Sequence, residues 1–327
     1  DDMENVTEQE PEIVALDLSA PKKRVRTFNE IFYDVFGMIF PVKTDSAKEK
    51  LRKLVMDISV IAIVVCLIAF VKFFNEYREY SKILDANSLN TQDTTINSDR
   101  SSEEWQEVLS DYPNVLFPEK MDVSFAPFYA QNNNFIGWLS LDSSDKFVQV
   151  VQGTDNDFYK NHDFYMNESV FGCPYADFRN SFDQLDENTV IYGNSDAENT
   201  FFSSLKKYKS LDGYKESPVI SFRTIYKTYY YKVFAVLIVS DNSADNSFSY
   251  DIVDFSSDTK FSSFVDGIRQ RSIIKTDVSI RTDDKLITLV ADSNESDGAK
   301  LVVVGKMVRD DEGISVDVSK ASLNENV

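Results

Sequence analysis

The hydrophobic positions change their period along the chain. Over residues 27–40 (TFNEIFYDVFGMIF), Phe28, Ile31, Phe32, Val35, Phe36 and Ile39 recur at helical spacing, and Pro41 closes the stretch. This predicts an amphipathic helix lying on a membrane face. From Val60 to Val71 the periodicity gives way to an unbroken apolar run. With Leu54, Val55, Phe73 and Phe74 the run reaches about 20 residues, enough to cross a bilayer. It starts too late for a cleaved signal peptide, and no small-residue cleavage site follows. Lys43, Lys48, Lys50, Arg52 and Lys53 crowd its N-terminal side. That asymmetry predicts a single-pass membrane protein with a cytoplasmic N-terminus and an extracytoplasmic remainder.

Residues 85–100 are almost free of large apolar side chains and read as a spacer. Ser101 and Glu104 then form an expected capping box, with Trp105, Val108 and Leu109 on one helix face and Pro113 ending it. A second short helix is expected near 122–131, with Phe125, Phe128 and Tyr129 facing inward. From Phe135 the pattern changes to strands, at 136–141, 147–151, 189–192, 219–226, 229–240, 286–291 and 301–308, rich in β-branched and aromatic residues. Two helices interrupt them, near 200–209 and 260–270. One β-barrel with helical decorations accounts for this better than two domains. The expected layout is a cytoplasmic tail with the amphipathic helix (1–53, its first 26 residues disordered), a membrane helix (54–75), a helical stalk and spacer (76–104), a barrel domain (105–312) and a C-terminal tail (313–327).

Composition narrows the function. The 327 residues carry a formal net charge of -20, which repels a nucleic-acid backbone. Hydrophobic residues make up 43% of the chain, enough for a core. Of the two cysteines, Cys66 lies in the apolar run, so the outer domain holds only Cys173 and no internal disulfide. With a single histidine, His162, no metal site is expected, and nothing in the chain calls for a cofactor.

Several stretches, in order, carry a resemblance: FPVKTDSAKEKLRK before the apolar run, YPNVLFPEKM (112–121), NNNFIGWLSL (132–141), DNDFYKNHDF (155–164), DFRNSF (177–182), NTVIYG (188–193), ITLVAD (287–292) and KLVVVGKMVRDDE (300–312). Together they resemble a class B sortase from about residue 27 onward. The resemblance implies a mainly β fold with helices, a sortase-type eight-stranded β-barrel preceded by N-terminal helices and one transmembrane helix. Sortases are membrane-anchored transpeptidases of Gram-positive bacteria that join secreted proteins to the cell wall or to a pilin. A cysteine attacks the scissile carbonyl, a histidine protonates the leaving amine and an arginine steadies the oxyanion.

At each of those positions this chain departs from the family. The histidine after NTVIYG is Asn194, the cysteine ending the Thr288-Leu289 run is Asp292 with Ala291 before it, and the arginine opening the next strand is Lys300. Asn194 has no proton to give near neutral pH, an ionised Asp292 only accepts hydrogen bonds, and Lys300 lacks the bidentate fork. The neighbours drift too, as Ser195-Asp196-Ala197-Glu198 and Ala291 show, which reads as natural divergence.

The expectation is therefore a sortase-B-like pseudoenzyme with an Asp292–Lys300 ion pair across the old site and a retained groove that includes Thr288, Leu289, Ala291 and Ser195. It would hold sorting-signal peptides, or pair with an active sortase or a pilus component. An alternative keeps an enzyme, with Cys173 recruited as nucleophile and His162 as its base. Another is a purely structural ectodomain. Tyr226, Tyr229, Tyr230 and Tyr231 read as core plus one exposed face, and Lys206, Lys207 and Lys209 as a solvated helix face.

Overall fold

The computed structural model describes residues 27–87, 96–141, 147–195, 201–240, 248–293, 295, 298–325 and 327. The tail read over 1–26, residues 88–95 of the spacer and residues 196–198 lie outside them. The chain divides into two compact units, residues 1–75 and 76–327.

In the first unit, helix α1 (Phe28–Ile39) forms where the apolar period predicts it. Phe28, Phe32, Phe36 and Phe40 follow one another along it with ring centroids 6.5, 6.1 and 4.6 Å apart, all exposed. The turn after α1 is closed by Asp45, which accepts from the Val42 amide at 2.9 Å and from Lys53 Nζ at 2.8 Å. Lys53 also donates to the Gly37 carbonyl. Helix α2 (Ala47–Asn87) follows. Its part Ala47–Asn75 is long and apolar enough to cross a membrane, with a mean hydropathy of 3.0 over its apolar 18-residue stretch.

In the second unit, α3 (Glu103–Asp111) is capped by Ser102, whose hydroxyl accepts from the Trp105 amide. The cap is thus one residue later than the expected box, and Glu104 instead accepts from Asn97 Nδ2 at 2.6 Å. Residues 97–100, read as spacer, are docked. The Trp105 indole and the Val123 amide both donate to the Asn97 carbonyl, and the Arg100 guanidinium lies 3.5 Å over the Trp105 ring. A 3₁₀ turn at Val123–Phe125 leads into α4 (Ala126–Gln131), where Phe125 is buried and Phe128 and Tyr129 are half-buried.

Strands β1 (Phe135–Leu141), β2 (Phe147–Val151), β3 (Tyr175–Ala176), β4 (Asn188–Gly193), β5 (Val219–Thr224), β6 (Thr228–Val239), β8 (Leu286–Asp292) and β9 (Lys300–Met307) close into a barrel in the order β1-β2-β3-β4-β8-β9-β6-β5. β2–β3 and β4–β8 pair in parallel, the rest antiparallel. The eighth barrel strand, β3, is two residues long and was absent from the sequence pattern. A second sheet pairs β7 (Ile274–Lys275) with β10 (Ser322–Leu323). The segment expected as a helix near 200–209 is a 3₁₀ helix, Phe202–Lys209, followed by α5 (Leu211–Glu216). α6 (Asp258–Arg271) forms where a helix was expected near 260–270, and its Phe261, Phe264, Val265 and Ile268 pack on Phe234, Leu237 and Val302. The barrel interior is filled by residues such as Leu139, Ile191, Phe222, Leu289 and Val303, and α3 and α4 cover Phe135, Trp138 and Val151 on its outside.

Candidate functional site

The site follows from strand order. β8 lies between β4 and β9, in parallel register with one and antiparallel register with the other, pairing Gly193 with Ala291 and Asp292 with Lys300. The ends of three strands therefore meet at one end of the barrel, bringing Asn194, Asp292 and Lys300 to one cavity of about 310 Å³. Its size is that of a small ligand pocket. Tyr159, Lys160, Cys173, Tyr175 and Tyr192 form other parts of its wall. Gly193 lets the Phe202 ring approach, since a Cβ there would lie 2.3 Å from it.

The expected ion pair is formed. Lys300 Nζ donates to Asp292 Oδ1, with side chains 34% and 38% exposed. Asn194 lies beside them, its amide nitrogen donating to the Val170 carbonyl at 3.1 Å.

The groove residues expected around this pair separate. Ala291 lines the cavity, whereas Thr288, Leu289 and Ser195 do not. Thr288 is buried and donates to Asn188 Oδ1 at 2.9 Å, Leu289 belongs to the barrel core, and the buried Ser195 hydroxyl donates to the Asp292 carbonyl. The cause is depth along β8: only its last three residues, Val290, Ala291 and Asp292, reach the cavity, and Thr288 and Leu289 lie further back in the strand.

The three lysines read as a solvated face are tethered instead. Lys206 donates to the Ser195 carbonyl at 3.1 Å, Lys207 to Ser217 Oγ at 2.6 Å, and Lys209 to Ser293 Oγ at 3.2 Å and Glu295 Oε1 at 3.0 Å. Two of them thus fasten the 3₁₀ helix to the segments that carry Asn194 and Asp292. Among the four tyrosines, Tyr231 is fully buried and Tyr226, Tyr229 and Tyr230 are half-buried.

Among the described residues, Cys173 and His162 make hydrogen-bond contacts to other groups and none to each other. Gly172, at φ +61, turns the chain so that Cys173 reaches the cavity wall, where a Cβ on Gly172 would meet two carbonyls at 2.6 Å. The thiol is 7% exposed, and its hydrogen-bond contact is the Gln149 carbonyl at 4.0 Å. Burial, then the nearby Asp163 charge, push its pKa far above the ordinary thiol value. The reactive thiolate is therefore withheld. His162 Nδ1 donates to the Phe158 carbonyl at 2.8 Å, and its ring stacks on Phe158 at 3.9 Å.

Sequence reasoning missed the tyrosines. Tyr159 accepts hydrogen bonds from Asn132 at 3.0 Å and Asn134 at 2.9 Å. Tyr192 donates to the buried Asp177 at 3.1 Å. Burial works to raise the Asp177 pKa, but hydrogen bonds from Arg179 and Asn156 outweigh it and hold the carboxyl below its usual range. Tyr175 stacks on Tyr192, with ring centroids 5.3 Å apart. The available signals were the NTVIYG and DNDFYKNHDF stretches, which contain Tyr192 and Tyr159.

No family model matches the chain. It is similar to sortase B of Listeria monocytogenes, 28% identical over 179 residues, which is 54% of this chain and 71% of that protein. It is also similar to sortase B of Staphylococcus aureus, 27% identical over 215 residues, 65% of this chain and 84% of the relative. Among solved structures, the Staphylococcus aureus sortase B–substrate complex matches with a TM-score of 0.52 at 27% identity, over 64% of this chain and 93% of that one.

Proposed function

Starting from a chain that is class B sortase-like in sequence and fold, we propose that it is a membrane-anchored pseudoenzyme that binds sorting-signal peptides without cleaving them, as an accessory factor in cell-surface protein anchoring. The observation that carries this reading is the Asp292–Lys300 ion pair beside Asn194, where a sortase has cysteine, arginine and histidine. An amide carbonyl needs a nucleophile, and this carboxylate is held by an ammonium. No imidazole lines the cavity to protonate a leaving amine. The members of such a catalytic set act as a unit, so the loss of all three closes the acyl-enzyme route.

The cavity itself persists, framed by the ends of β4, β8 and β9. The apolar segment within Ala47–Asn75 anchors the chain, with the basic residues Lys43 to Lys53 on the cytoplasmic side and the barrel outside. The test is equilibrium binding of labelled sorting-signal peptides to the full chain in lipid nanodiscs. Saturable binding with the peptide recovered intact is the expected result; no saturable binding removes the peptide-binding role.

A further inference from the structure

Three tyrosines line the cavity, and their hydroxyls are used unequally. The Tyr159 oxygen is held by two asparagine amides, and the Tyr192 hydroxyl is committed to Asp177. Tyr175 makes ring contact with Tyr192, and among the described residues its hydroxyl has no hydrogen-bond partner. The residue is only 5% exposed. Its hydroxyl is not among the fully enclosed polar atoms, so it opens on the cavity and is satisfied by what enters there.

The cations of the cavity are already used. Lys300 is paired with Asp292, and Lys160 with Asp157 at 2.6 Å. Burial first, then the charges of Asp157, Asp292 and Asp177, raise the Tyr175 pKa, so the hydroxyl stays protonated and sits in a negative field. A carboxylate arriving there would be repelled, whereas a neutral carbonyl would accept the hydrogen bond at no charge cost.

We infer that Tyr175 is a ligand-binding residue, its hydroxyl donating to a neutral carbonyl of a peptide segment, either a backbone amide or a carboxamide side chain. This rests on the peptide-binding reading above and adds the contact that selects the ligand. β3 is what places it: this two-residue strand pairs with both β2 and β4 and sets Tyr175 directly opposite Tyr192.

The test uses the full chain in lipid nanodiscs with a fluorescein-labelled, C-terminally amidated sorting-signal peptide. It compares wild type with Tyr175→Phe, and the peptide with a twin in which each Asn or Gln is replaced by Asp or Glu. Phenylalanine keeps the ring stack and removes one unpartnered oxygen, so the melting temperature should hold or rise. The expected result is binding weakened about tenfold in Tyr175→Phe, the loss of one hydrogen bond to a buried donor, with the acidic twin weaker than the neutral peptide in wild type. Equal binding by wild type and Tyr175→Phe would overturn the assignment and leave peptide binding standing. Tighter binding of the acidic twin would overturn the neutral-carbonyl class. No saturable binding by wild type would overturn both readings.

Discussion

Strands β8 and β9 carry a lysine–carboxylate contact at each end of the same ladder, and the two contacts are built differently. At the cavity end, Asp292 and Lys300 pair with each other while more than a third exposed. At the other end, Lys306 is fully buried and lies directly opposite Lys232 on β6. Two like charges facing each other across a ladder repel. Glu312 resolves this by accepting from Lys232 at 2.7 Å through one oxygen and from Lys306 through the other. Arg309 joins the cluster and pairs with the buried Asp284. The buried end thus holds a network in which every member depends on the others, and the open end a pair that needs only itself. The network lies in the buried scaffold, and the pair lies at the cavity where we propose that the chemistry was lost.

That difference sets the order of expected effects. The largest belongs to Glu312→Ala, which leaves Lys306 buried without its counter-charge and should cost about 3–5 kcal/mol of unfolding free energy. A loss below about 1 kcal/mol in denaturant titrations would erase the contrast.

The pH dependence sharpens it. Burial opposes ionisation of Glu312, but hydrogen bonds from Lys232 and Lys306 and the Lys306 charge outweigh this and bring its pKa from 4.5 to about 2. A carboxyl with a depressed folded pKa contributes its stability above its unfolded value and loses it as pH falls through the folded one. The stability gap between wild type and Glu312→Ala should therefore be full at neutral pH and close as pH drops from about 4.5 towards 2. A gap that stays constant across that window would remove Glu312 as the cause.

The smallest effect belongs to the open end. Asp292→Ala should change stability by about 0–1 kcal/mol, as exposed pairs do. A larger loss would mean that the pair is part of the scaffold.

Much of the fold was legible because long β-branched runs such as 229–240 and 301–308 declare strands by composition alone. β3 was not, because two residues carry no period and its place depends on long-range pairing with β2 and β4. For the same reason Tyr175 gave no sign of facing a cavity. The meeting of Asn194, Asp292 and Lys300 was legible through the resemblance, which supplied strand ends that spacing alone does not. Thr288 and Leu289 were misplaced because adjacency to Asp292 in sequence was read as adjacency to the groove, whereas only the last three residues of β8 reach the cavity. Lys206, Lys207 and Lys209 looked solvated because their acceptors lie off the helix, Ser195 and Ser217 in the segments on either side of it and Ser293 and Glu295 far along the chain.

The central claim is that this barrel keeps a sortase-type cavity and has lost only the chemistry. Its most direct test measures hydrolysis and transpeptidation of sorting-signal peptides by the full chain in nanodiscs, beside the triple variant Asn194→His/Asp292→Cys/Lys300→Arg. The account predicts no turnover by the native chain and turnover above background by the variant. Turnover by the native chain, lost on Cys173→Ala, would contradict it.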